Sequence, residues 1–243
     1  MKQHYKKFLL LLPLLYSCST FESSYDYSPE EMSSHPFVQK ARAYFEEYTS
    51  TPMEYELQGM HPGAIAARWD KELKIFSHSG ILCVNVDLET EATYDAEFYK
   101  RDADGVISTE DTYTTALFQR LIVVQGEESG LFSCYLVTVI PDEEHATMNR
   151  SKLGEMVYCA DSMSRFSGFL LFATVTTNYG IELQCYKDGN MYHKISIFDL
   201  PSVTWLGWSD TLKEIQRYVG MKSLTQYIPA GTFVIPAKVE DEQ

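Results

Sequence analysis

Two apolar runs limit what this chain can become more than any other feature. Residues 131–140 (Leu-Phe-Ser-Cys-Tyr-Leu-Val-Thr-Val-Ile) and 166–175 (Phe-Ser-Gly-Phe-Leu-Leu-Phe-Ala-Thr-Val) are about ten residues long and rich in aromatic and β-branched side chains. They have the length and composition of strands, and the first is apolar on both faces, as a strand in the middle of a covered sheet must be. It stops at Pro141-Asp142, because proline cannot donate to a ladder. The second run leads through a turn with Asn178 and Gly180 into residues 181–186, and then through Asp188-Gly189-Asn190 into residues 191–198. Asp-Gly between extended runs is a hairpin signal. Three strands joined by two tight turns therefore form a meander.

Further upstream the period of two recurs. Residues 81–88 alternate after Cys83, and residues 92–100 place Tyr94, Ala96 and Phe98 on one side. Asp102-Ala-Asp-Gly105 gives a turn, residues 112–124 resume extended structure, and Glu127-Glu-Ser-Gly130 turns again. Helical spacing appears over residues 36–48, with Pro36 in the first turn and Phe37, Ala41, Tyr44, Phe45 and Tyr48 on one face. Residues 64–75, carrying Trp69, read as a second short helix, and residues 143–165 as a polar loop. Ser209 or Asp210 can cap a last helix with Leu212, Ile215 and Val219 inward and Gly220 as its stop. The expected fold is α+β: a mainly antiparallel β-sheet meander with an N-terminal helix and a short C-terminal helix, in a single domain over residues 35–243.

The N-terminus carries an address. Lys2, Lys6 and Lys7 precede the apolar run Phe8-Leu-Leu-Leu-Leu-Pro-Leu-Leu15, with no acid among them. A positive flank and a short apolar core form a signal peptide, and the run is too short for the ~20 residues a bilayer span needs. The next residues, Leu15-Tyr16-Ser17-Cys18, resemble the lipobox of bacterial lipoproteins, although Tyr16 is bulkier than the usual residue at its position. The resemblance implies cleavage after residue 17 and lipidation of Cys18, whose thiol can form the thioether to a diacylglycerol. Residues 18–34 are polar and acidic without hydrophobic period, and read as a flexible tether. Removing residues 1–17 takes away three lysines and moves the formal charge from −14 to −17.

That acidic balance disfavours nucleic acid as a partner, since phosphate binding needs clustered Lys and Arg. It equally disfavours electrostatic attachment to anionic lipid, which leaves the acyl anchor as the hold on the membrane. Apart from Cys18, the cysteines are Cys83, Cys134, Cys159 and Cys185, an even number that permits up to two disulfides in an exported protein. Cys83, Cys134 and Cys185 sit in apolar strand patterns, where a free cysteine serves as a small hydrophobe. No Cys-x-x-Cys pair occurs, which argues against zinc ribbons and thioredoxin-like sites.

Three further motifs resemble segments of certain Bacteroidetes cell-envelope lipoproteins of unknown function. They are Phe166-Ser-Gly followed by an apolar strand, a turn and Tyr186-Lys-Asp-Gly-Asn190; Trp69-Asp70 ahead of a strand; and Val137-Thr-Val-Ile-Pro-Asp142. The resemblance implies an outer-membrane, lipid-anchored address and a β-rich fold, and carries no activity with it.

Candidate chemistry is sparse. Residues 100–111 look like a calcium loop around Asp102, Asp104, Gly105 and Ile107, but Lys100 falls on the first ligand position and Asp111 on the last, where a bidentate Glu is needed. Trp205 and Trp208 bracket Leu-Gly, and two nearby indoles suit ligand stacking on sugar rings or, equally, anchoring of the last helix to the sheet. His61, His78, His145 and His193 have no metal-ligand spacing. Within Ser77-His78-Ser79-Gly80, neighbours on a strand point to opposite faces. No zinc-protease, nucleophile-elbow or phosphate-loop motif is present. The sequence thus predicts no catalytic residue, no metal and no cofactor. The expectation is a monomeric, non-enzymatic envelope lipoprotein that binds an unidentified glycan or protein. The alternatives are a glycan-capture accessory, a hydrolase with an unrecognised site, or an assembly factor pairing through a sheet edge.

Overall fold

The computed structural model describes residues 23–24, 29–48, 65–70, 73–78, 81–90, 92–101, 106–126, 128–157, 165–175, 180–196, 218–228 and 231–236. The fold is α+β, mostly antiparallel β-sheet with few helices. Its strands, in chain order, are β1 (Ser23–Ser24), β2 (Ile65–Arg68), β3 (Lys74–His78), β4 (Ile81–Thr90), β5 (Thr93–Arg101), β6 (Ile107–Gly126), β7 (Phe132–Pro141), β8 (Gly168–Thr174), β9 (Gly180–Lys187), β10 (Asn190–Ser196), β11 (Met221–Ile228) and β12 (Gly231–Pro236). The helices are α1 (Pro29–Ser34), α2 (Pro36–Tyr48) and α3 (Arg150–Met156).

All twelve strands among the described residues join one antiparallel network. The main path runs β1-β3-β4-β6-β7-β8-β9-β10, and β2 adds to β4. The long strand β6 belongs to two layers. Its second half pairs with β4 and β7, while its first half pairs with β5, which in turn carries β11 and then β12. The β5–β11 layer folds back over the main sheet. Tyr94, Ala96, Phe98, Met221 and Leu224 on that side pack with Phe169, Leu171, Leu183, Cys185 and Ile195 of the main sheet. Further along the same face, α2 brings Phe37, Val38 and Ala41 onto Val84, Val86, Leu121, Val123, Cys134 and Leu136. Strand β7 is buried on both faces over nearly its whole length, as its largely apolar run requires. The meander of β8, β9 and β10 forms as the sequence predicts.

Three expectations need correction. Residues 64–75 are not helical: they hold β2 and β3, both paired with β4. The helix-favouring alanines of β2 are overridden by its pairing with the end of β4, where Arg68 also forks to Asp70 and Glu89. The polar stretch 143–165 contains α3, opened by the Asn149 side chain accepting from Ser151 N at 2.8 Å. The tail after Gly220 forms the β11–β12 hairpin, with Pro229 between the two strands and Pro236 closing the second. Finally, ordered structure begins ahead of residue 35. Residues 29–34, expected within a tether, form α1 and bury Met32, while Ser23–Ser24 pair with β3. Proline at the first helical position and two acids in the first turn suit a helix start. Of the expected C-terminal helix only its last residues are described: Tyr218 and Val219 are helical, and Gly220 follows with φ of 75°.

The second face of the main sheet is held differently, by buried polar contacts. Arg120 of β6, 1% exposed, gives its Nε to Asn85 Oδ1 at 2.6 Å and its Nη1 to Asp87 Oδ1 at 3.3 Å, both on β4. Asn85 Nδ2 reaches across to the carbonyls of Gly154 and Val157, at 3.5 and 3.1 Å, and so ties α3 to the sheet. Arg150, at the start of α3, donates to Asp87 Oδ1 at 3.0 Å and to the Leu88 carbonyl, with its guanidinium 5.4 Å from the centre of the Phe118 ring. A side chain on Gly154 would put a Cβ 2.4 Å from Arg120 Nη1. Truncating Arg120 to Ala leaves the buried Asn85 Oδ1 without its donor and Asp87 with Arg150 alone, and we expect a loss of about 3 kcal/mol in urea-unfolding stability. By contrast Arg42→Ala, which breaks an exposed pair with Glu46 one helical turn away, should cost no more than about 0.5 kcal/mol.

Candidate functional site

Three motifs that lie far apart in sequence meet at one end of the main sheet. Strand β7 ends at Pro141, paired with Gly168, which is in turn opposite Tyr186 of β9. Asp142 N donates to the Ser167 carbonyl at 3.2 Å, Asp188 N to Ser167 Oγ at 2.8 Å, and Gly189 N to the Phe166 carbonyl at 2.7 Å. The segment Phe166-Ser167-Gly168 therefore braces both the corner at Asp142 and the β9–β10 turn. That turn is a two-residue loop between paired Lys187 and Asn190, with φ of 49° at Asp188 and 76° at Gly189. Both central residues in the left-handed region is the type I′ arrangement that matches strand twist, and Asp-Gly is the pair that tolerates it. Gly168 is needed for two reasons. Its φ is 142°, and a Cβ there would meet the Ile140 carbonyl oxygen at 2.3 Å.

Within this corner Asp142 Oδ1 accepts from His145 N at 3.2 Å and lies 2.9 Å from His145 Nδ1. His145 is buried against Phe166, with ring centres 6.2 Å apart. Glu144 adds a third ligand-type group, and the nearest donor atoms of Asp142, Glu144 and His145 all lie within 4.8 Å of one another. These three residues could hold a divalent cation. The local hydrogen bonding favours a structural turn instead, because Asp142 Oδ1 already takes the His145 hydrogen bonds, and Lys187 Nζ stands 3.9 Å from Asp142 Oδ2. Lys100 pairs with neighbouring Glu143 at 2.5 Å.

Around the corner stand Tyr113, Tyr192, Arg101 and Cys185. Burial pushes the Tyr113 phenol well up, and the negative charges of Asp142 and Glu143 push it further, against the lowering effect of Arg101. Tyr192 is raised as well, first by burial of its hydroxyl, although as a residue it is 61% exposed. Both phenols stay neutral and able to donate. Arg101 is also fastened to the Tyr218 carbonyl at 2.6 Å. The corner thus presents donors, acceptors and an accessible aromatic ring on a braced backbone.

Comparison of the chain with protein-family models, with curated proteins and with solved structures found no match.

The residues singled out from sequence fare unequally. Cys18, Trp205 and Trp208 lie outside the described residues, as do Asp102, Asp104, Gly105, His61 and Cys159. Of the calcium-like loop, Lys100 is engaged with Glu143 and Ile107 begins β6. His78 lies on β3 opposite Ile81. Motif spacing does not single out Asp142, Glu144 and His145 as a group, although Asp-Glu-Glu-His after a strand-ending proline is their visible signal. The thiols of Cys83, Cys134 and Cys185 are free, and burial pushes them up to about 12, 12 and 11.

In peptide mapping after iodoacetamide treatment at pH 8, Cys83, Cys134 and Cys185 should therefore remain unmodified in the native protein and become modified only in denaturant, since the thiolate is the reactive form. Gly168→Ala should cost about 1–3 kcal/mol, read by thermal unfolding, and should raise the protease sensitivity of the Asp142 corner.

Proposed function

We propose that this chain is an exported envelope lipoprotein, held to the outer membrane by acyl chains on Cys18, with a non-enzymatic binding role and a monomeric folded part. The observation that carries the reading is the N-terminal series of Lys2, Lys6 and Lys7, a short apolar run, and Leu15-Tyr16-Ser17-Cys18. Each part does something physical. The lysines stay on the cytoplasmic side, the run enters the membrane, and the thiol takes the lipid.

The binding half of the reading rests on how the polar groups are used. On the second face of the main sheet, Glu182, Gln184 and Tyr186 alternate along β9 and share one side. Gln184 Nε2 donates to Glu182 Oε1 at 2.6 Å, Tyr186 OH donates to Gln184 Oε1 at 2.8 Å, and Lys194 of β10 pairs with Glu182. Like the Arg120 group, this file is occupied internally and serves the fold. The Asp142 corner differs, with an accessible Tyr192 ring, the charged groups of Lys187 and Glu144, and a backbone fixed on three sides. A rigid polar corner with an exposed aromatic is suited to recognition of a polar ligand such as a glycan or a protein loop. Among the described residues no helix is long and apolar enough to cross a membrane.

The deciding experiment feeds cells an alkynyl palmitate and fractionates them. The wild-type chain should carry label and stay with membranes through a high-salt wash, whereas Cys18→Ala should be unlabelled and recovered free of membrane. A Cys18→Ala protein just as firmly membrane-bound would overturn the proposal.

A further inference from the structure

We infer that the end of the fold where β1, β3 and α2 meet faces the bilayer at close range, with the Asp142 corner held on the far side, pointing away from it. This rests on the reading that Cys18 carries the lipid. It replaces a long free tether with a short leash and gives the domain a fixed orientation.

Chain length sets the first limit. Four residues separate Cys18 from Ser23, and five fully extended steps reach at most about 18 Å. At Ser23 the chain is already part of the sheet, with Ser23 opposite Ser77 and Ser24 opposite Phe76 on β3. Helix α1 then buries Met32 to 3% exposure and hands over to α2 through His35 N donating to the Met32 carbonyl at 3.1 Å and Gln39 N to the His35 carbonyl at 3.0 Å. Helix α2 in turn stacks its rings on the body: Phe37 on Phe132 at 6.2 Å, Tyr44 on Phe132 at 5.4 Å, and Phe45 beside Trp69 at 6.1 Å. The anchor point therefore cannot lie far from the β3 edge.

Strand directions then place the opposite pole. Phe132 opens β7 at the end where α2 sits, and Pro141 closes it beside Asp142. Ten residues of strand put roughly 30 Å between those ends. In the strand order β7 also stands four places from β1, which adds about 19 Å across the sheet. The Asp142 corner is diagonally remote from the lipid.

The partner on the near side is the bilayer surface itself, reached through the acyl chains and not through charge. The exposed positions of α2 carry Lys40 and Arg42 but also Glu46 and Glu47, and Arg42 is paired with Glu46 at 2.7 Å. Such a mixed surface gives anionic headgroups nothing to hold, so the orientation is expected to be the same on neutral and anionic membranes.

Energy transfer tests this on the protein as cells process it from the full-length gene product, mixed with phosphatidylcholine vesicles that carry a rhodamine lipid. A fluorescent amino acid is placed either at Lys40 on α2 or at Thr147 beside the Asp142 corner, both exposed positions. Transfer from position 40 should be at least about twice that from position 147, and unchanged when a third of the lipid is made anionic. A twenty-residue Gly-Ser insertion between Glu22 and Ser23 should erase the difference, because it lengthens the leash and leaves the fold alone. Equal transfer from both positions in the uninserted protein that floats with vesicles would overturn the orientation alone. Failure to float with vesicles would instead overturn the Cys18 reading and the orientation with it.

Discussion

A guanidinium with almost no access to water sets the terms for this fold. Burying an unpaired charge is prohibitive, so wherever Arg120 goes its partners must go too. The partners sit on β4, where Asp87 is directly opposite Arg120 and Asn85 lies one pleat away on the same face. If β4 slipped by a single residue against β6, Val86 would face Arg120, and Asn85 and Asp87 would turn into the apolar side. The other face could not prevent this by itself. It consists of Val84, Val86, Leu121 and Val123, whose similar shapes would tolerate more than one alignment. Polar matching on one side therefore selects the register that apolar packing on the other side stabilises.

The same group decides where the helix after β7 is placed. Asn85 spans from Arg120 to two carbonyls at the end of α3, and Asp87 is shared between Arg120 and Arg150 at its start. A seven-residue helix is too short to persist alone. Here it is held at both ends by the charge that the sheet must neutralise, and Leu153 and Met156 complete the cover over Val137 and Phe172. Glu182, Gln184, Tyr186 and Lys194 repeat the principle on β9 and β10. These clusters are closed on themselves, whereas at the corner built around Asp142 the chain must turn and polar groups meet solvent.

What was legible in the sequence is what local pattern controls. The apolar runs of β7 and β8, the Asp-Gly turn, and the α2 stripe of Phe37 and Ala41 all follow from side-chain period and turn chemistry. What was not legible depends on partners distant in sequence. Residues 65–68 carry two alanines and are a strand only because the end of β4 offers them a ladder. The tail becomes β11 because β5 has an edge to extend. Asp142 and Asp188 read as separate turn residues, and nothing local announces that Ser167 joins them. Met32 is a lone apolar residue in an acidic stretch, so no periodicity marks it, although a single well-placed side chain is enough to seat a helix whose neighbour is already packed.

The proposed orientation on a membrane depends on seating of that kind. Neither β1, two residues long, nor α1, six residues long, could hold its place unaided. β1 is held by its pairing with β3, and α1 relies on α2, which is fixed by Phe37, Val38 and Ala41 within the core and continues α1 after a single intervening residue, His35. The position of α1 is thus set by the packing of a thirteen-residue helix downstream, not by α1 itself. If α2 loosens, α1 loosens with it, while the Arg120 group, whose hydrogen bonds run to β4, still holds β4 in register with β6. The proposed orientation on the membrane therefore leans on α2 and the β1–β3 pairing, whereas the register of β4 against β6 leans on the Arg120 group.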